Sequence, residues 1–124
     1  MATIKAYTDI SQSKKLAEIL PLESADMYYE PSPGFRTEPS EAKIGDIEYA
    51  HPRSIRCWSL AALLGVLPKR IEIVDNVYEL SVYLYGLYYW NINNGNLCFE
   101  SKDKDNLVDA CYEAIVFLYE QKLL

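Results

Sequence analysis

Cys57 and His51 are the side chains in this sequence best suited to nucleophilic chemistry, and six positions separate them. A thiolate is stabilised at the start of a helix, and a nearby histidine can take its proton, so the pair has the composition of a Cys–His nucleophile. Cys57 also stands beside Trp58, and a small buried residue next to a large one is the simpler interpretation. We therefore assign no catalytic residue, and a small enzyme of unknown reaction is the third functional hypothesis.

The residues that could hold a metal ion are few and dispersed. His51 is the only histidine, and the three cysteines form no Cys-x-x-Cys pair, so a zinc site would have to draw its ligands from distant positions. Four acidic residues lie close together in the sequence, namely Glu100, Asp103, Asp105 and Asp109. They lack the glycine turn and the ligand spacing of a calcium-binding loop. All five glycines are isolated, which is not the pattern of a phosphate-binding loop. We expect no metal and no cofactor.

Residues 60–67, Leu-Ala-Ala-Leu-Leu-Gly-Val-Leu, resemble the first helix and turn of a DNA-binding helix-turn-helix. A recognition helix rich in polar and basic residues should follow. Instead, the chain continues Pro-Lys-Arg-Ile-Glu-Ile-Val-Asp, which is typical of a loop or a strand. A DNA-associated regulator using segment 57–70 is therefore the second hypothesis.

Composition argues against binding to nucleic acid or to an anionic membrane. The chain has 124 residues, of which 50% are hydrophobic and 24% charged, values typical of one globular domain spanning residues 1–124. Its formal net charge is −6 at pH 7, whereas nucleic acids and anionic membranes are bound through basic surfaces. Partners are accordingly expected to be proteins, including a second copy of this chain.

The cysteines and the apolar segments indicate a cytoplasmic protein. Cys57, Cys98 and Cys111 are odd in number and far apart, so we expect three reduced cysteines in the core. The first nine residues contain no apolar run of signal-peptide length, and no segment approaches the length of a membrane span.

Three helices are predicted from apolar spacing and capping residues. The first spans Ile10 to Leu20, with Asp9 and Gln12 placed to form a capping box. The second spans Cys57 to Leu64, with Gly65 at its expected end. The third begins at the N-cap Asp105 and runs to Gln121, with Leu107, Cys111, Ala114, Ile115 and Leu118 on one stripe.

Residues 78–100 predict an antiparallel meander of three strands, with a fourth possible. Five of the eleven tyrosines lie here, among alternating strand-forming residues. The strands are predicted at 78–84, 87–92 and 96–100, joined by turns at Tyr85-Gly86 and Asn94-Gly95. A proline-rich loop is predicted at 30–41, and a further short strand at Ile44 to Tyr49. The fold class is therefore α+β, with about three helices packed on the sheet.

Two-residue turns divide the strand residues between two faces that are both apolar. One face is predicted to carry Leu80, Val82, Leu84, Leu87, Tyr89 and Cys98. The other is predicted to carry Tyr83, Tyr85, Tyr88, Trp90, Ile92, Leu97 and Phe99. Either helices cover both faces, or a partner covers the second, and tyrosine and tryptophan are enriched at protein interfaces.

Several segments resemble a group of small uncharacterised proteins encoded by gut Bacteroides-type bacteria and by their phages or mobile elements. The similar segments are Tyr7–Pro21, Ala25–Tyr28, Trp58–Pro68 and Asp105–Glu113. No activity, cofactor or functional residue is known for the group. The resemblance implies a cytoplasmic bacterial or phage context and an accessory role.

The leading hypothesis is a non-enzymatic accessory protein that binds a protein partner, or itself as a homodimer, through an aromatic sheet face. The residues predicted to form this interface are Tyr83, Tyr85, Tyr88, Trp90, Leu97 and Phe99.

Overall fold

A computed structural model describes residues 5–30, 40–41, 53–102 and 105–124, with the backbone alone at 40 and 41. These residues form three α-helices and two antiparallel sheets, so the predicted α+β class is confirmed. Most of the predicted loop 30–41, the predicted strand Ile44–Tyr49 and the side chain of His51 lie outside the described residues.

Helix α1, Ile10–Ile19, begins as the sequence predicted. The Gln12 amide donates to Asp9 Oδ1 at 2.8 Å, and the Asp9 amide donates to Gln12 Oε1 at 3.1 Å, which completes the capping box. Leu16 and Leu20 are buried on the inward face of this segment. The chain then passes through a short 3₁₀ turn, Leu22–Ser24.

Helix α2, Leu60–Val66, begins three residues later than predicted, and Gly65 lies inside it rather than at its end. Ser59 is the N-cap, because its hydroxyl accepts from the Ala62 amide at 3.2 Å. Both Asp26 oxygens bind Ser59, one through its backbone amide and one through its hydroxyl. This long-range contact fixes where the helix starts.

Helix α3, Leu107–Glu120, carries the predicted apolar stripe. Its N-cap is Asn106 rather than Asp105, since the Asn106 side chain accepts from the Asp109 amide at 2.8 Å. The inward face consists of fully buried side chains: Val108, Ala110, Cys111, Ala114, Ile115 and Leu118.

The smaller sheet was not predicted. Its strands, in spatial order β2–β1–β3, are β1 (Met27–Tyr29), β2 (Ser40–Glu41) and β3 (Ile55–Cys57). Cys57 therefore ends a strand and does not begin a helix. Strand β3 lies beside α1.

The larger sheet is a meander of four strands that are neighbours in chain order. They are β4 (Arg70–Ile73), β5 (Asn76–Tyr83), β6 (Gly86–Asn91) and β7 (Leu97–Glu100). Three strands were predicted, with a fourth as a possibility. The fourth strand is β4, which pairs with the first half of β5.

The β5–β6 and β6–β7 connections both differ from the predicted turns. The β5–β6 turn is Leu84-Tyr85, and Gly86 is the first residue of β6. Five residues, 92–96, connect β6 to β7 instead of a two-residue turn, and Gly95 adopts a φ of 76° within them. The Asn91 side chain accepts from the amides of Asn93 and Asn94 and stabilises this longer connection.

Helix α3 packs on β6, and the core lies between them. Leu87 and Tyr89 are fully buried there, and the Tyr89 hydroxyl donates to the Pro68 carbonyl at 2.7 Å. Trp58 is also fully buried, and its Nε1 donates to Ser24 Oγ at 2.9 Å. Among the described helices, none has the length and apolar character that crossing a bilayer requires.

Candidate functional site

The four-stranded sheet has two unlike faces. Ile71, Leu87 and Tyr89 point to the helix layer and are buried, so we name that side the inner face. Tyr88 and Trp90 alternate with Leu87 and Tyr89 along β6 and therefore point to the opposite side, the outer face. Both rings are half-buried rather than enclosed in the core.

Strand register arranges the outer face in cross-strand rows. Arg70 stands opposite Glu79, which stands opposite Trp90, which stands opposite Leu97. A second row runs from Ser81 through Tyr88 to Glu100. Side chains that are directly opposite on one face are close enough to interact.

Side chains of these rows line an open groove with a volume of about 580 Å³. It is lined by Ser81, Tyr83, Tyr88, Trp90, Gly95, Leu97 and Glu100. The structure thus brings together Tyr83, Tyr88, Trp90 and Leu97 from the predicted interface. Leu97 is 47% exposed and Tyr83 is 38% exposed, so the groove is open to solvent.

Two predicted interface residues lie elsewhere. Tyr85 is in the β5–β6 turn, 53% exposed and outside the groove. Phe99 is on the inner face, where its ring lies 4.8 Å from that of Phe117. The cause is an irregularity in the β6–β7 pairing, in which Tyr89 is opposite Phe99 but Trp90 is opposite Leu97. The extra residue reverses the faces beyond it.

The apolar residues predicted for the opposite face of the sheet are partly buried in the core and partly exposed. Leu80, Leu87, Tyr89 and Cys98 pack with the core as predicted. Val82 and Leu84 are exposed, although Leu87, directly opposite Val82, is fully buried. Ile92, which was predicted on the aromatic face, follows β6 and is 40% exposed.

Two aromatic rings form one wall of the groove. The ring centroids of Tyr83 and Tyr88 are 6.1 Å apart, with the planes inclined at 42°. Gly86 stands opposite Tyr83 in the hairpin and leaves room for its ring. Edge-to-face and tilted arrangements of this kind are favourable for aromatic pairs.

Trp90 lines the groove beside Tyr88. Its Nε1 donates to Ser81 Oγ at 3.0 Å, on the neighbouring strand. This hydrogen bond holds the ring across the sheet and satisfies its only donor. Ser81 was missed by the sequence prediction, although the alternation of Glu79 with Ser81 along β5 places it on this face.

Charged side chains accompany the rings. Arg70 Nη2 lies 2.6 Å from Glu79 Oε1, an exposed ion pair beside Trp90. Glu100 faces Tyr88 at the end of β7 and lines the groove. Its position was also missed, because the extra residue in the β6–β7 pairing reverses the faces beyond it.

Cys57 is enclosed by the core. The side chain is fully buried, and its Sγ donates to the Thr8 carbonyl at 3.3 Å. The Tyr29 hydroxyl donates to the same carbonyl at 2.7 Å. Burial raises the pKa of the Cys57 thiol, and a protonated thiol is a weak nucleophile. This network ties the chain around Thr8 to β3.

The segment that resembles a helix-turn-helix has a different structure. Helix α2 is followed by strand β4, in agreement with the loop or strand that the sequence predicted after residue 67. The place of a recognition helix is therefore taken by a strand. Arg70 lies in β4, paired with Glu79.

Within residues 5–30, 53–102 and 105–124, no three potential ligands form a cluster suited to a metal ion. No protein-family model, curated protein or solved structure matches this chain. The outer-face groove is therefore the candidate site, and its function is argued from its geometry.

Proposed function

We propose that this chain is a non-enzymatic accessory protein that binds a segment of another protein in the outer-face groove. The observation that carries the proposal is the groove itself, in which Tyr83, Tyr88 and Trp90 line an open space of about 580 Å³. Aromatic side chains supply large contact areas and often dominate binding energy at interfaces. The cellular context proposed, from sequence resemblance, is a bacterial phage or mobile element.

The size and shape of the groove favour a narrow segment. Its volume lies within the range of sites that enclose a drug-sized ligand, which corresponds to a few amino-acid side chains. Half-buried rings such as Tyr88 and Trp90 have already lost much of their conformational freedom, so little further ordering is required on binding.

Charge favours a different protein over a second copy of this chain. On the outer face of β4–β7, Glu72 is exposed and Arg70 is ion-paired with Glu79. Two copies meeting through this face would bring together molecules that each carry a net charge of −6. Like charges that face each other at an interface oppose association.

Selection of binders from a displayed library of random peptides tests the proposal. The wild-type protein is the bait, and Trp90→Ser is the bait for counter-selection. We expect peptides that bind the wild type at least tenfold more tightly than Trp90→Ser, because a central aromatic residue commonly contributes about 2 kcal/mol. Tyr119→Ser removes a 48% exposed tyrosine from α3 and should leave binding unchanged.

Circular dichroism and thermal melting must show that Trp90→Ser keeps the fold. A selection that yields no peptides dependent on Trp90 would overturn the proposal. Sedimentation of the protein alone supplies a second outcome. A dimer that Trp90→Ser dissociates would identify a second copy of the chain as the occupant and contradict the choice of a different protein.

A further inference from the structure

The connection between β6 and β7 contains the only Asn-Gly pair in the sequence, Asn94-Gly95. Asparagine is a thermolabile residue, because the backbone nitrogen of the residue after it can attack its side-chain carbonyl carbon. Glycine in the following position permits this attack most readily, since it has no side chain to hinder the approach and its backbone is the most adaptable. Residues 92–96 are all exposed, so water also reaches the pair.

The Asn94 side chain is held against the backbone that follows it. Its Oδ1 accepts a hydrogen bond from the Asn96 amide at 2.9 Å, in a turn of the kind that asparagine forms with the backbone two residues on. The Gly95 nitrogen lies between these two groups in the chain, so the hydrogen bond folds the side chain back over the peptide that contains this nitrogen. The Asn96 amide is also placed to stabilise the negative charge that develops on Oδ1 when a nitrogen adds to Cγ.

One hydrogen bond opposes the reaction while the connection is closed. The Gly95 amide donates to the Asn91 carbonyl at 2.8 Å, which holds the proton that the attacking nitrogen must lose. Short exposed segments open locally at a low cost in free energy, and the attack is expected from this open state. The hydrogen bond between Asn94 and Asn96 lies within three consecutive residues, so it does not require the contact with Asn91.

We infer that Asn94 is a site of spontaneous modification, at which the side-chain amide is converted to a carboxylate. The Gly95 nitrogen forms a bond to Asn94 Cγ and gives up its proton, the bond from Cγ to Nδ2 breaks, and Nδ2 leaves as ammonia. Water then opens the resulting succinimide ring at one of its two carbonyl carbons, which yields either aspartate or isoaspartate. This inference does not depend on what the outer-face groove binds.

The modification changes the border of the outer-face groove, which Gly95 lines. Either product replaces a neutral amide by a carboxylate, so the formal net charge of −6 becomes more negative by one. Isoaspartate also takes the main chain through the side-chain carbons of residue 94, which adds one atom to the backbone between β6 and β7. The charge and the shape of this border therefore change as the protein ages.

Peptide mapping by mass spectrometry tests the inference on the intact protein. The protein is incubated for several weeks at neutral pH and in mild base, and each asparagine is followed for the mass gain that replacement of NH₂ by OH produces. We expect Asn94 to be modified several times faster than Asn93 and Asn96, which lie in the same exposed connection. The rate should rise in base, because the attacking nitrogen must lose its proton. Equal modification of the three asparagines, or none at Asn94, would overturn the inference.

Asn94→Gln tests the proposed route. The longer side chain would have to close a six-membered ring, which forms far more slowly, so the variant should release less ammonia than the wild type. Asn93→Gln is the matched control and should release as much ammonia as the wild type. Both positions are exposed, and circular dichroism checks that both variants keep the fold. Release from Asn94→Gln at the wild-type rate would contradict attack by the Gly95 nitrogen on Asn94.

Discussion

The ring of Tyr83 occupies the space that a side chain at Gly86 would need. A Cβ at Gly86 would lie 2.7 Å from Tyr83 Oη and 2.9 Å from Tyr83 Cζ, distances at which atoms overlap. The two residues are cross-strand neighbours at the end of the β5–β6 hairpin. The position of one groove wall therefore depends on the absence of a side chain at the opposite position.

Gly86→Ala is expected to move the Tyr83 ring out of the groove. The new Cβ would also lie 2.5 Å from Ser101 Oγ, which accepts a hydrogen bond from the Leu87 amide. Loss of that bond should lower the free energy of unfolding by about 1 kcal/mol. Denaturant unfolding measures the change in the free energy of unfolding. Nuclear Overhauser effects between Tyr83 and Tyr88 show whether the Tyr83 ring has moved. If both are unchanged, the close approach described here is wrong.

Gly65→Ala is the matched glycine-to-alanine substitution in a helix. It should raise the free energy of unfolding, whereas Gly86→Ala should lower it. Gly65 lies inside α2, and no atom lies within 4 Å of where its Cβ would be. Alanine in a helix is more stable than glycine by about 0.5–1 kcal/mol. We expect a higher free energy of unfolding by that amount. A decrease would indicate that Gly65 ends the helix, as the sequence alone predicted.

Phe99→Ala should destabilise the fold by about 3 kcal/mol, because the ring packs on Phe117 and the core. Leu97→Ala is the control two positions away. It should cost less than about 1 kcal/mol, since Leu97 is 47% exposed on the outer face. Equal costs, or a larger cost at Leu97, would contradict the observed register of β7.

Acid is expected to weaken the contact between α1 and α3. Burial opposes ionisation of Asp109, but hydrogen bonds from Lys5, Gln12 and Asn106 outweigh it and lower the pKa of Asp109 to about 2. The same carboxyl in the unfolded chain has a pKa of about 3.9. Its stabilisation is therefore complete above about pH 4 and is lost as the pH falls towards 2, by about 2 kcal/mol in total.

Asp109→Asn tests this dependence. The variant should be less stable at neutral pH, and its free energy of unfolding should fall less steeply between pH 4 and pH 2. Glu18→Gln, at an exposed site on α1, controls for the removal of one negative charge. A variant with the wild-type slope in acid would show that Asp109 does not carry the effect.

Part of the outer-face groove could be predicted from the sequence. Alternation along β6 predicted that Tyr88 and Trp90 lie on one face. Alternation along β5 and β7 predicted that Tyr83 and Leu97 lie on the same face. The prediction failed at Phe99 because pairing between β6 and β7 includes an extra residue. A bulge depends on contacts between strands, and the residues of either strand alone give no signal for it.

The sequence by itself determined the features that depend on near neighbours in the chain. The capping box of Asp9 and Gln12, the apolar stripe of α3 and the strand alternation all arise from residues within a few positions of one another. Tertiary structure alone decided where α2 begins, since Asp26 binds the capping residue Ser59 from 33 positions away. It also decided that Glu100 lies beside the rings, because register is set by pairing between strands and by burial of one face.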